Sequence, residues 1–175
     1  MGRVININAV RIALVLAVSV MFVFALTAHA GKVQVPEGTT VTVKFPATTK
    51  ISSGKIPEGT KLLFELAEPI EIGGKIIVDK GATGTAVVTE VKKAGRGGKP
   101  GKITVEFVEL NATGSFRSTD GSPIKLTGPV TDEGGKKGFF PWLFFVFLMK
   151  GGQGEIDTEQ PYIATVAESI ILEEQ

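Results

Sequence analysis

The chain has no cysteine, one histidine, one tryptophan and one tyrosine in 175 residues. Each scarcity excludes something. Without cysteine there is no disulfide, no thiolate nucleophile, no zinc–thiolate site and no cysteine to carry a lipid after a leader. The fold is held by its core. The one histidine, His29, lies in a stretch that reads as a removable leader, so the rest of the chain has no imidazole either. Ser-His-acid triads, Cys-His pairs and His-based metal sites are excluded with it. No D-x-D-x-D loop suited to calcium is present. No cofactor and no metal are expected.

Acidic residues are also missing from the start of the chain: none precedes Glu37. Arg3 and Arg11 open it, the apolar run Ile12 to Leu26 follows, and Thr27-Ala28-His29-Ala30 ends the segment. A charged start, an apolar centre and an A-x-A end are the signature of a cleavable secretory signal, with Ala28 and Ala30 filling the small pockets of the peptidase. The run is shorter than the roughly 20 apolar residues that span a bilayer as a helix. Residues 1–30 are expected to be a signal-peptide helix cleaved after Ala30. An uncleaved anchor is the alternative. Residues 31–175 are then one domain in the periplasm or at the cell surface. A chain of that length buries roughly 68% of its unfolded surface, enough for an unaided core. Nineteen basic residues less Arg3 and Arg11 leave 17 against 18 acidic ones, so a nucleic-acid partner is not expected.

What is present is β pattern. Val41-Thr42-Val43-Lys44-Phe45 alternates apolar and polar, as do Lys61 to Leu66, Thr83 to Val91, Lys102 to Leu110 and Tyr162 to Val166. In Lys102 to Leu110 the apolar face runs Ile103, Val105, Phe107 and then slips to Leu110. A turn precedes several strands: Val35-Pro36-Glu37-Gly38-Thr39, Ile56-Pro57-Glu58-Gly59-Thr60 and the looser Val78-Asp79-Lys80-Gly81-Ala82. The copies start 21 and 22 residues apart, with a degenerate fourth at Ile156 to Gln160. Each unit has one apolar face and is stable only when paired with its neighbours. Gly73-Gly74 between Pro69–Ile72 and Lys75–Val78 predicts a two-residue hairpin. Ser115–Arg117 and Ile124–Leu126 predict another around Asp120-Gly121. Ile51 to Gly54 reads as a polar turn, residues 128–137 as a loop, and Ala167 to Leu172 as a strand. The fold class is all-β, a small partly closed barrel or a two-sheet sandwich of short strands.

Two segments are candidates for contact with other molecules. Phe139-Phe140-Pro141-Trp142-Leu143-Phe144-Phe145-Val146-Phe147-Leu148-Met149 holds five of the eleven phenylalanines and the only tryptophan, framed by Lys136, Lys137 and Lys150. It is too short to cross a bilayer as a helix. One reading buries it in the core. The other exposes Phe139, Phe140, Trp142, Phe144, Phe145 and Phe147 to a lipid interface or a partner's groove, which flanking lysines and tryptophan suit. The second candidate is the glycine-rich basic loop 92–102, where Lys92, Lys93, Arg96, Lys99 and Lys102 offer an anion contact. As a phosphate loop it fails: five residues separate Gly95 from Gly101, and Ile103 stands where a hydroxyl is needed. The alternative is a flexible, soluble hairpin tip.

Carboxylate chemistry is the one catalytic class left open. Glu65, Glu68 and Glu71 lie close in sequence, Asp132-Glu133 and Glu173-Glu174 are adjacent, and Trp142 and Tyr162 are the only candidate sugar platforms. Solvated surface is the plainer reading of these acids.

The order Ile51-Ser52-Ser53-Gly54, Ile56-Pro57-Glu58-Gly59-Thr60, Ile76 to Ala82 and Gly84 to Lys93 resembles a diffuse group of exported bacterial proteins of unassigned function. They carry I-P-x-G-T turns before strands and a G-x-V-T-x-x-K-K-A-G stretch. Asp79 replaces the second proline of that pattern here. A fainter similarity runs to the barrel domain of type IV secretion core subunits. The shared motifs are turns, so the resemblance implies a small envelope β-domain and no site residue. The expected function is a non-catalytic cell-envelope binding or assembly module, with an envelope protein or a membrane surface as partner. The alternatives are a membrane-associating protein that uses residues 139–149 and a carboxylate-based hydrolase of cell-wall sugars.

Overall fold

The computed structural model describes residues 31–135 and 151–175, and the fold lies in the unit Lys32–Gln175. The signal-peptide reading of residues 1–30, with Ala28 and Ala30, falls outside the described residues, as does the aromatic segment. The described chain is all-β, with no helix. In chain order its strands are β1 (Lys32–Val35), β2 (Thr40–Lys44), β3 (Ile51–Ser52), β4 (Lys61–Leu66), β5 (Ile70–Ile72), β6 (Lys75–Val78) and β7 (Thr83–Lys92). There follow β8 (Lys102–Leu110), β9 (Phe116–Ser118), β10 (Ile124–Thr127), β11 (Pro129–Glu133), β12 (Glu155–Ile156), β13 (Tyr162–Val166) and β14 (Ile170–Glu174).

Six of these close a barrel. β2, β4, β7, β8, β10 and β13 each pair antiparallel with the next, and β13 returns to β2. Barrel neighbours follow chain order, so this is an up-and-down barrel, and closure leaves no exposed sheet edge among its strands. The alternating residues fill the inside. Val41, Val43, Leu62, Phe64, Leu66, Val105, Phe107, Ala164 and Val166 are all buried. A six-stranded barrel is narrow, so large side chains need small ones opposite. Phe64 meets Phe107 edge-on at 5.1 Å between ring centres, and Gly84 leaves it room: a Cβ there would lie 2.1 Å from Phe64 Cζ. Phe45 stacks on Phe107 at 5.8 Å between ring centres.

The repeated turns are the starters of three adjacent barrel strands. In the first, Thr39 N–H and Oγ1 both donate to Pro36 O, at 3.3 and 2.7 Å, and Gly38 takes φ +83°. Thr60, Pro57 and Gly59 repeat this before β4, with 3.4 Å, 2.7 Å and φ +80°. Ala82 N–H, Asp79 O and Gly81 do the same before β7, without the hydroxyl bond. In each copy the glycine N–H also donates to the adjacent barrel strand, and the next residue accepts a bond back from that same strand residue. The strand residues are Val166, Val88 and Leu66. Positive φ at the third position makes glycine necessary there. The fourth copy is different: Asp157 caps its own turn through Glu159 N at 2.8 Å, with no glycine.

Four sequence expectations are corrected. Residues 129–133 are a strand, β11, paired to the lower half of β8. β10 and β11 are two parts of one bent path, turned at Gly128 so that β10 closes the barrel and β11 runs on along β8. β9 does not pair with β10; it joins β14 and β1 in a separate sheet. The Asp120 turn redirects the chain between sheets, its carboxylate accepting from Ser118 Oγ and from Ser122 N at 3.0 Å. Ile51–Gly54 is no surface turn: β3 pairs with β12, and Ser52 and Ser53 are buried. The segment after Val166 becomes a strand only at Ile170, as β14. The slip in β8 is real and is a bulge: Phe107 faces Ala86, Glu109 faces Thr85, and Val108 is the extra residue. The Gly73-Gly74 hairpin forms, with both glycines at positive φ, 61° and 79°.

The register gives the barrel two ends. One carries the starts of β2 and β7 and the ends of β4, β8 and β13; the β1–β14–β9 sheet and the β5–β6 hairpin belong to it. The other carries the ends of β2 and β7 and the starts of β4, β8 and β13.

Candidate functional site

The second end gathers four glycine-bearing segments: 51–54, 94–101, 134–135 and 151–154. None is a regular hairpin, and each finds its partner in another. Gly101 N–H donates to Gly152 O at 2.8 Å, and Gly134 N–H to Gly101 O at 2.8 Å. Gly151 N–H donates to Gly95 O at 3.2 Å, and Gly152 N–H to Gly135 O at 3.4 Å. The backbones lie too close for side chains. A Cβ on Gly151 would sit 2.0 Å from Lys99 O, and one on Gly134 2.1 Å from Gly152 O.

Ser53 is the centre of this network. It is fully buried. Its N–H donates to Gly154 O at 2.9 Å, and its Oγ donates to Gln153 Oε1 at 2.8 Å and accepts from Gly154 N at 3.0 Å. Gln153 Oε1 accepts a second bond, from Ala94 N at 3.1 Å. A buried hydroxyl with both roles satisfied is a structural tie.

The basic loop's backbone is tied into this network at Ala94, Gly95 and Gly101. Gly95 N–H donates to Lys99 O at 3.0 Å, closing a tight turn in which Gly97 and Gly98 both have φ +72°. Lys92, Lys93, Arg96 and Lys99 are exposed and make no ion pair among the described residues. Lys102 stands apart from them: its Nζ lies 2.7 Å from Glu90. The hydrogen bond from Lys102 holds the Glu90 carboxyl below the usual range, with Lys92 adding attraction. Four of the five expected cations form the candidate site.

The second candidate meets the first through its roots. Residues 136–150 leave the described fold at Gly135 and return at Gly151, and Gly152 N–H bonds Gly135 O. Gly151 is in turn bonded to Gly95 in the basic loop. Phe139, Phe140, Trp142, Phe144, Phe145 and Phe147 themselves lie outside the described residues. Sequence spacing could not show that loop 92–102 and the roots of 136–150 share one network, because they are far apart in the chain. The only signal was the run of glycines flanking each.

Some of the carboxylates brace the backbone, and others line open depressions. Asp132 accepts from Glu155 N at 2.9 Å, and Asp157 from Glu159 N and Gln160 Nε2. Glu68 accepts from Thr42 Oγ1 at 3.3 Å on an exposed wall. Glu68 and Glu71 line one open depression of about 450 Å³, and Glu155, Asp157 and Glu159 another of about 390 Å³. The half-buried Tyr162 ring packs edge-on against Phe45, and its hydroxyl donates to Asp157 O at 2.6 Å. Burial pushes that hydroxyl's pKa up, and the Asp157 charge adds to it. Among the described residues no group of three or more His, Cys, Asp or Glu side chains is placed to hold a metal ion. Comparison with family models, curated proteins and solved structures finds no match for this chain.

Proposed function

We propose that the chain is an exported, non-catalytic cell-envelope protein: a closed β-barrel that carries a contact segment, residues 136–150, on its glycine-built end. The observation that carries this reading is the pinning of both roots of that segment, at Gly134–Gly135 and Gly151–Gly152, into a backbone network anchored on buried Ser53. Phe64 and Phe107 of the barrel strands and Phe45 just past β2 are buried together in the core. A segment of eleven apolar residues inserted between pinned roots then serves contact with a membrane surface or an envelope partner. The resemblance to exported bacterial turn-and-strand proteins agrees with this placement in the envelope.

The test is to replace residues 137–149 with a short Gly/Ser linker in the exported chain. The expected result is an unchanged β-type circular dichroism spectrum and melting transition, with loss of retention in the envelope fraction. Unfolding of the variant, or unaltered retention, contradicts the reading.

A further inference from the structure

We propose that the basic hairpin tip, with Lys92, Lys93, Arg96 and Lys99, is a contact surface for the anionic headgroups of a phospholipid layer. This deepens the reading above and rests on it. Segment 92–99 has four cations and no acidic residue. All four are exposed and none is in an ion pair among the described residues, whereas neighbouring Lys102 is neutralised by Glu90. Glu90 also attracts Lys92 across the solvent, and of the acids on β11 and β12, Asp132 accepts the Glu155 N–H and Glu133 sits opposite Lys102.

Backbone ties distinguish this tip from an ordinary solvated loop. Gly95–Lys99 closes the turn, Gly151 N–H ties Gly95 to the root of 136–150, and Gln153 holds Ala94. The charges are thus presented from a tied backbone beside the point where the chain leaves for Lys136-Lys137 and returns from Lys150. In sequence, the chain between those roots holds eleven apolar residues with tryptophan and flanking lysines, and an apolar segment joined to a basic patch is the pair of signals that lipid association uses. A soluble acidic protein has no use for the apolar partner of that pair.

The experiment uses the chain from Gly31 onward, which contains the whole closed barrel. Co-sedimentation is measured with vesicles of phosphatidylcholine alone and of phosphatidylcholine with phosphatidylglycerol. The wild-type chain is expected to bind the anionic vesicles more tightly, and less so as salt is raised. Lys92→Gln, Lys93→Gln, Arg96→Gln and Lys99→Gln combined should weaken that binding by about two to three orders of magnitude, at roughly fivefold per cation. The residual binding to neutral vesicles and the melting transition should stay as they were. A wild-type chain that binds both vesicle types alike overturns the inference while leaving membrane contact standing. A wild-type chain that binds neither, or only a soluble polyanion such as heparin, overturns both. A quadruple variant that binds anionic vesicles as well as wild type also overturns it.

Discussion

At the end where β2 begins, the barrel is covered by side chains: Val35 of β1, Phe116 of β9 and Leu172 of β14 are buried in the same core cluster as the barrel interior. At the opposite end Ile51 of β3 and Ile156 of β12 join that cluster too, but glycine backbone packs in beside them. Glycines 101, 134, 151 and 154 lie within touching distance of carbonyls and amides from other segments, and the buried polar groups there are Ser52 and Ser53. An apolar cover is non-directional and adjusts to its neighbours. A backbone cover is directional and has no spare volume. The first closes the core. The second fixes where chain segments leave and return, which suits an end that presents something.

That contrast makes opposite demands on mutation. At the apolar end, removal is harmful: Leu172→Ala should cost about 3 kcal/mol, read from urea melts. At the glycine end, addition is harmful: Gly151→Ala should cost about 2 kcal/mol, because the Lys99 carbonyl must move to admit a methyl. If Gly151→Ala is neutral, the two ends do not differ in kind. Ser53→Ala should cost about 1.5 kcal/mol, by leaving Gly154 N–H without its acceptor. Hydrogen exchange should show that loss confined to the amides of Ala94, Gly101 and Gly154. The smallest effect belongs to the rim of the apolar end, where Lys32 pairs with Glu173 in the open. The Lys32 hydrogen bond holds the Glu173 carboxyl below its usual range. Its contribution is thus present above the ordinary carboxylate pKa and is lost as pH falls through the lowered value. In Lys32→Ala an NMR titration should show the Glu173 pKa rising towards the ordinary value, with no detectable change in melting at neutral pH.

The barrel wall was legible in the sequence and the covers at its two ends were not: β9 joins β14 and β1 where a hairpin with β10 was expected, and β14 begins only at Ile170. β4 and β13 alternate cleanly, and β8 does so as far as Phe107, because one face of each is inside the barrel, and their spans match the pattern. Even the bulge at Val108 showed, as a slip from Phe107 to Leu110. β11 escaped notice because it lies on the outer edge of β8 and buries neither face fully, leaving no alternation to read. Ser53 escaped because its partners, Gln153 and Gly154, lie about a hundred residues away. Glycines that approach other backbones have the same local signature as glycines in loose loops. The candidate cations were named from composition, but the separation of Lys102 from the other four depends on Glu90, across the strand pair.

The most direct test of the outward contact segment is the emission of Trp142, the only tryptophan, in the chain from Gly31 onward. In dilute buffer without lipid, the expected result is red-shifted emission that iodide quenches readily, moving to the blue when anionic vesicles are added. Blue-shifted emission that iodide does not reach and vesicles do not alter would place the segment in the core and contradict the proposed function.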